Sequence, residues 1–262
     1  MTYIHTFVIC AYQESIYLEE CIQSCLTQES VATGQSGVIL YTSTPNEYII
    51  NLCEKYHIEQ FVGSSSGIGA NWNEALSFVK TDLATIAHQD DIYLPDYGTE
   101  VINAFKADEQ LNIAFTDYLE NDAADTVRTR NINLKIKSFG LKLMSLSNNK
   151  RYQRRIYAFG NFICCPAVTY NLQRLADFKF DENLKMALDW DAWERIMKLS
   201  GRLKFIPDKL MYHRIHPDSE TTFNTTDQNR EKEEYAMFRR YWPKLIAKLL
   251  INLYIHNQKT NS

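Results

Sequence analysis

The chain has 262 residues, 45% hydrophobic and 23% charged, which is enough to build a packed core and excludes the disordered and fibrous classes. A formal net charge of -4 supplies no global positive field, so no nucleic-acid partner is expected. The start, MTYIHTFVICAYQE, lacks the basic and long apolar regions of a signal peptide, and no apolar run reaches membrane-spanning length; a cytoplasmic protein is expected.

In chain order, TFVICAY, GVILYTS, EQFVG and LATIAHQ are short β-branched or aromatic runs that predict strands. Between them, IYLEECIQSCLTQ puts Ile16, Cys21, Ile22, Cys25 and Leu26 at helical spacing, and NEYIINLCEKY does the same with Ile49, Ile50 and Cys53. The alternation predicts an α/β fold, a mostly parallel sheet flanked by helices, with ligands at the carboxyl ends of its strands. The polar tips AYQE, YTSTPN, GSSSGIGANWN and HQDD then share one crevice. Past residue 120, ENDAADTVRTRNINLKIKSFGLKLMSLSNNKRYQRR is polar and increasingly basic, part loop and part helix.

GNFICCPAVTYN reads as a further buried strand, DWDAWERIMKLSG as a capped helix, and RLKFIP and LMYHRIH as two more strands. The tail from Gln228 is helical with a break at Pro243 and ends in a basic amphipathic segment. That segment suits a helix lying on a membrane surface, or a packing helix that could form a homodimer. The six cysteines, at 10, 21, 25, 53, 164 and 165, form no CxxC pair and read as small buried apolar residues rather than zinc ligands.

Asp90 and Asp91 stand side by side at the end of a strand run, where an acid pair can hold a divalent cation or cap the turn and helix that follow. The glycine- and serine-rich GSSSGIGANWN enters a helix whose first amides could receive an anion, or is simply a flexible turn. MALDWDAWERI brings a second acid pair, Asp189 and Asp191, into partly apolar surroundings that raise a carboxyl pKa and suit a proton acceptor; helix capping accounts for one of the two. Beyond a later strand, YHRIHPDSET gathers His213, Arg214 and His216, which could meet a diphosphate or a metal.

Taken together and in order, TFVICAYQESIYLEECIQSCLTQ, NWNEAL…HQDDIYLP, LDWDAWERI and YHRIHPDSET resemble the family 2 glycosyltransferases of the GT-A fold. The resemblance implies an inverting, metal-dependent transferase that moves a sugar from a UDP-linked or other nucleotide diphosphate donor to a hydroxyl of a glycan or lipid-linked acceptor, in bacterial surface polysaccharide synthesis. With a lipid-linked acceptor, the basic tail segment would lie at the inner face of the membrane, or else serve as a packing or dimer helix. The resemblance places Ala11, Tyr12 and Glu14 against the nucleotide base, with Thr42 or Ser43 standing in for an acid that YTSTPN lacks. Asn73 matches an Arg-Asn pair whose arginine is Trp72 here. Asp90, with His216 or Arg214 assisting, matches the group that holds Mn²⁺ or Mg²⁺ and the diphosphate, and Asp189 matches the general base.

Arg195 matches a family arginine read as structural. His88 and Gln89 stand where the family carries an acid and a small residue on the donor ribose, and Leu188 replaces a glutamate. A rival from another class is a catalytically impaired nucleotide-sugar or glycan-binding module of the same fold. The implied organisation is a GT-A domain over 1–222, with a nucleotide-binding half near 1–120 and an acceptor half near 121–222, then a C-terminal helical extension over 223–262.

Overall fold

The computed structural model describes residues 3–122, 124, 126–128, 132–216 and 228–259. Strands β1 (His5–Ala11), β2 (Ser36–Thr42), β3 (Glu59–Val62) and β4 (Leu83–His88) pair in parallel in the order β3-β2-β1-β4. Every residue of β1 except Cys10 is buried, as a strand covered on both faces requires. His5 is part of that interior: its ring nitrogens lie 2.9 Å from Ser36 Oγ and 2.9 Å from Thr85 Oγ1, tying β1 to both neighbours. Burial lowers its pKa to about 3, so the ring is neutral.

The connections are α1 (Leu18–Leu26), α2 (Glu29–Ala32), α3 (Glu47–Tyr56) and α4 (Ile68–Ser77). α1 buries Cys21, Ile22 and Cys25 as their spacing predicts, but Ile16 precedes the helix and is 83% exposed; the apolar stripe starts at Leu18 instead. α3 is capped by Asn46, whose side chain accepts from the Ile49 N–H at 2.9 Å. Four of the six cysteines are buried and all are free.

The second half extends the sheet with mixed pairing. β4 is antiparallel to β7 (Val168–Asn171), β7 antiparallel to β6 (Leu111–Asp122), β6 parallel to β8 (Arg202–Ile215), and the short β5 (Ile92–Tyr93) lies antiparallel on the outer edge of β8. RLKFIP and LMYHRIH are therefore one strand. The register skips from Ile206 to Lys209, so Pro207 falls in an irregularity where no ladder hydrogen bond is required of it. GNFICCPAVTYN yields a 3₁₀ turn at Cys165–Ala167 before β7 begins, because Pro166 cannot donate to a ladder.

Helices α5 (Tyr97–Ala107), α6 (Ile132–Ser145), α7 (Lys150–Tyr157), α8 (Leu188–Ile196), α9 (Gln228–Arg239) and α10 (Lys244–Lys259) complete the described fold. One core joins Phe7 and Ile9 to α1, α3 and α5; the other joins Val8 and Ile86 to α8, α9 and α10. Trp190 of α8 meets Phe238 of α9 edge-on at 5.0 Å and Tyr254 of α10 at 5.7 Å. The break expected at Pro243 separates α9 from α10. The domain boundary expected at residue 222 lies outside the described residues. No described helix is long and apolar enough to cross a membrane.

Candidate active site

The tips of β1 and β4 are locked together. The Tyr12 N–H donates to Gln89 Oε1 at 2.9 Å, and the Gln89 amide donates back to the Tyr12 carbonyl at 3.2 Å. Just past Ala11 and Tyr12, Gln13 adopts a left-handed backbone with φ 54°, held by its N–H to Thr44 Oγ1 at 2.7 Å. A non-glycine residue there costs roughly 1–2 kcal/mol, and such strain concentrates at functional sites. Thr42 is buried and accepts from the Thr44 N–H at 3.1 Å, Ser43 is half-buried, and Tyr12 and Glu14 are exposed.

The glycine-serine loop between β3 and α4 is organised by Glu74, which the sequence did not flag. Its carboxylate accepts from Tyr41 Oη at 2.7 Å and from the Ser65 N–H at 3.0 Å, and bonds from Ser65 and Tyr41 hold its pKa down at about 2. Gly67 enters α4 with φ 93°, a conformation that favours glycine. Asn73 turns inward: its side chain donates to the Phe180 carbonyl and to Glu182, each at 3.0 Å, and accepts from the Phe180 N–H at 2.8 Å.

At the end of β4 the acids are surrounded by histidines. Asp90 Oδ2 lies 2.9 Å from His216 Nε2. Asp91 is fully buried and does not cap the following turn or helix; its Oδ1 accepts from His213 Nδ1 at 2.9 Å and from the Arg214 N–H at 3.0 Å. β5 pairs with β8 immediately after Asp91, Ile92 opposite Tyr212, which brings the His213–His216 segment to the acid pair. His88 stacks on Trp72 at 5.2 Å and sits 4.0 Å from Asp91 Oδ2. Arg214 is buried: it donates from Nε to the Asp90 carbonyl at 3.0 Å, pairs with Glu20 and lies 4.5 Å over the Tyr17 ring.

Burial works against the charge on Asp90, yet the His216 hydrogen bond and the nearby imidazoles outweigh it and hold its pKa below the ordinary value. Burial likewise lowers His88. For His213, burial is outweighed by the charge and hydrogen bond of Asp91, so its pKa is raised.

This group fits a divalent cation. His88, Asp90 and Asp91 offer ligand atoms within 4.8 Å of one another. His88 Nε2, Asp91 Oδ2 and His216 Nδ1 are buried with no hydrogen-bond partner among the described residues, a costly arrangement unless something else engages them. Carboxylate oxygen with imidazole nitrogen is a donor set that suits Mn²⁺.

The second acid pair separates cleanly. Asp191 is buried and held by Arg195 Nε at 2.7 Å and Arg240 at 2.6 Å. Arg195 also donates to the Lys179 carbonyl and lies over Phe178, which is a structural arrangement. Asp189 has no ion-pair partner among the described residues. Its Oδ2 accepts from Asn161 Nδ2 at 2.6 Å and its Oδ1 from the Trp190 N–H at 2.7 Å, while Tyr157 Oη donates to Asn161 Oδ1. Burial raises the Asp189 pKa; the Asn161 and Trp190 bonds, and the charges of Lys137 and Arg230, only partly offset it.

Neither acid caps α8, whose N-cap residue is Ala187 with no capping side chain. Glu233 of α9 instead holds the turn that leads into the helix, its carboxylate accepting from the N–H groups of Lys185, Met186 and Ala187 at 3.1, 2.8 and 3.0 Å. The buried thiols of Cys164 and Cys165 are pushed up by burial and by the charges of both Asp91 and Asp189, so the two carboxylate centres lie within electrostatic reach of one short turn.

A model of the family described as "Glycosyl transferase family 2" matches residues 6–175. The chain belongs to glycosyltransferase family 2. The matched segment contains His88, Asp90 and Asp91 and ends before Asp189, His213 and His216. Among solved structures, residues 1–349 of S. aureus TarS in complex with UDP-GlcNAc are similar at 13% identity and a TM-score of 0.63, over 98% of this chain and 73% of that one. The mannosyltransferase PcManGT from Pyrobaculum calidifontis, in complex with GDP-Man and Mn²⁺, is similar at 12% identity and a TM-score of 0.67, over 97% and 70%. These likenesses establish the GT-A-like fold of this family 2 transferase. Comparison with curated protein sequences gives no significant match.

Proposed function

We propose that this family 2 enzyme is an inverting transferase that moves a sugar from a UDP-linked donor to a hydroxyl of a glycan or lipid-linked acceptor, with Asp189 as general base. The observation that carries the reading is the contrast on α8: Asp191 is neutralised by Arg195 and Arg240, whereas Asp189 is held by hydrogen bonds with its pKa raised. As the acceptor oxygen attacks the anomeric carbon, its proton passes to Asp189. The bond from that carbon to the diphosphate breaks, and the nucleoside diphosphate leaves with the electron pair.

Asn161 and the Trp190 amide keep both carboxylate oxygens aimed. Ala11, Tyr12, Glu14, Thr42 and Ser43 are assigned to the nucleotide. Asn73 and Arg214 support the donor site from behind, since their side chains bond within the protein. Asp90 and His216, with His88 and Asp91 beside them, are the residues to hold Mn²⁺ or Mg²⁺, as the donor set and the orphaned buried atoms favour. Bound there, the ion supplies charge neutralisation of the diphosphate.

Asp189→Asn tests the assignment. Donor affinity by calorimetry is expected to be unchanged while turnover falls roughly 10²- to 10⁴-fold, the usual worth of a general base. Turnover at the wild-type rate removes Asp189 from the role.

A further inference from the structure

Residues 126–176 contain ten lysines and arginines and no aspartate or glutamate, in a chain whose net charge is -4. The same region and α10 carry most of the large exposed apolar side chains of the described residues. On α6, Ile136 and Phe139 are exposed, Phe139 by 66%, and Phe159 is exposed beyond α7. On α10, Leu245, Leu249 and Leu253 recur at four-residue intervals along one face, all more than half exposed, while Ala247 and Ile251 pack inward. α10 is thus apolar on two sides, and the protein uses only one of them.

Close packing joins these pieces. The Phe162 ring lies against Gly140 of α6, where an added Cβ would sit 2.8 Å from it, and Tyr254 of α10 lies against Gly160, where a Cβ would sit 3.0 Å away. The segment from Phe159 to Phe162 therefore runs between α6 and α10. Exposed cations are interspersed on the two helices, Lys135 and Lys142 on one and Lys244 and Lys248 on the other, and neither helix contains an acid.

We propose that α6, Phe159 and the outer face of α10 dock the chain on an anionic bilayer surface. Exposed leucines and phenylalanines enter the boundary between headgroups and acyl chains, and the lysines meet anionic headgroups. A symmetric pairing of two copies through this face sets lysines against lysines with no acid to relieve them, which disfavours a homodimer there. The inference goes beyond the transfer reading and does not depend on it. The two meet at Asn161, which lies between Phe159 and Phe162 and donates to Asp189.

The test is co-sedimentation of the full chain with phosphatidylcholine vesicles, with and without phosphatidylglycerol, at low and high salt. Binding is expected only with phosphatidylglycerol, weakened by salt, and reduced about tenfold or more in the Leu249→Glu/Leu253→Glu and Lys244→Glu/Lys248→Glu variants. Circular dichroism and diphosphate release from a soluble donor should match the wild type, because these side chains are exposed to solvent and none of them belongs to the acid groups.

Equal recovery in the supernatant with and without anionic vesicles overturns the proposal, as does binding that both variants retain. A concentration-dependent dimer in sedimentation velocity that Leu249→Glu/Leu253→Glu abolishes, without vesicle binding, assigns the face to a second copy instead. Vesicle binding and diphosphate release are separate readouts, so either reading can fail alone.

Discussion

Asp189 and Asp191 stand two residues apart on one helix and have opposite fates. A carboxylate clamped by two guanidinium groups is a poor proton acceptor, whereas one desolvated without a cation holds a proton more readily. Asp189 must be ionised to act as a base, and its pKa is raised by burial, so activity should fall on the acid side at a higher pH than an ordinary aspartate would set. The Asn161 hydrogen bond favours the charged form. Asn161→Ala should therefore move the acid limb of the pH-rate profile further up and leave the alkaline plateau in place. The other groups acting on Asp189 are the Trp190 N–H, Lys137 of α6, Arg230 of α9, and the phenols of Tyr157 and Tyr254; of these only Tyr157 loses a partner in that variant, the Asn161 oxygen it donates to. A profile superimposable on wild type would show that Asn161 does not act through Asp189. Asn161 itself sits in GNF, a string with no motif, and only the fold reveals it.

At the scale of elements, α8 was legible as a helix, but what fixes its entry was not. The helix has no capping side chain, and the turn before it is held by Glu233 of α9, 46 to 48 residues away, beyond the reach of local rules. Glu233→Ala leaves the N–H groups of Lys185, Met186 and Ala187 without their acceptor and should cost about 1–2 kcal/mol, read as a lower melting temperature, with reduced turnover because that turn leads directly into the segment carrying Asp189. An unchanged melting temperature would mean that water replaces Glu233 at no cost. β6 was missed for a related reason. LNIAFTDYLEND ends in polar residues that look like a loop, yet Asp117 is buried and satisfied by Ser138 at 2.9 Å and the Tyr118 N–H at 3.0 Å. Partners supplied by α6 cannot be read from the strand alone. Asp90 and His216 were expected together and do meet, but Asp91 bonding to His213 depends on the register of β5 against β8, which no local pattern encodes.

For the whole molecule, the parallel half was the readable half. Three of its four strands are apolar runs bounded by turn residues, β3 (EQFV) being half polar, and helical spacing is legible between them. The mixed half depends on pairings between distant segments, such as Leu83 with Asn171 and Leu111 with Arg202. The C-terminal helices are joined to α8 and the turn before it by Glu233 on Met186, by Arg240 on Asp191, and by Phe238 and Tyr254 on Trp190. Removing residues 228–262 frees that turn, leaves Asp191 one cation short and exposes Trp190. The truncated chain should lose cooperative urea unfolding as followed by tryptophan fluorescence, and a truncated chain with wild-type unfolding and turnover would make these helices dispensable.

The central claim is that the crevice binds a nucleotide-sugar through the Asp90 group and transfers its sugar. Its most direct test is to incubate the protein with UDP-, GDP- and dTDP-sugars, with Mn²⁺ and with a chelator, and to identify the nucleotide released. Release of nucleoside diphosphate from at least one donor, dependent on Mn²⁺ and abolished by Asp90→Ala, is the predicted result. Release of monophosphate, or no release from any donor, would contradict it.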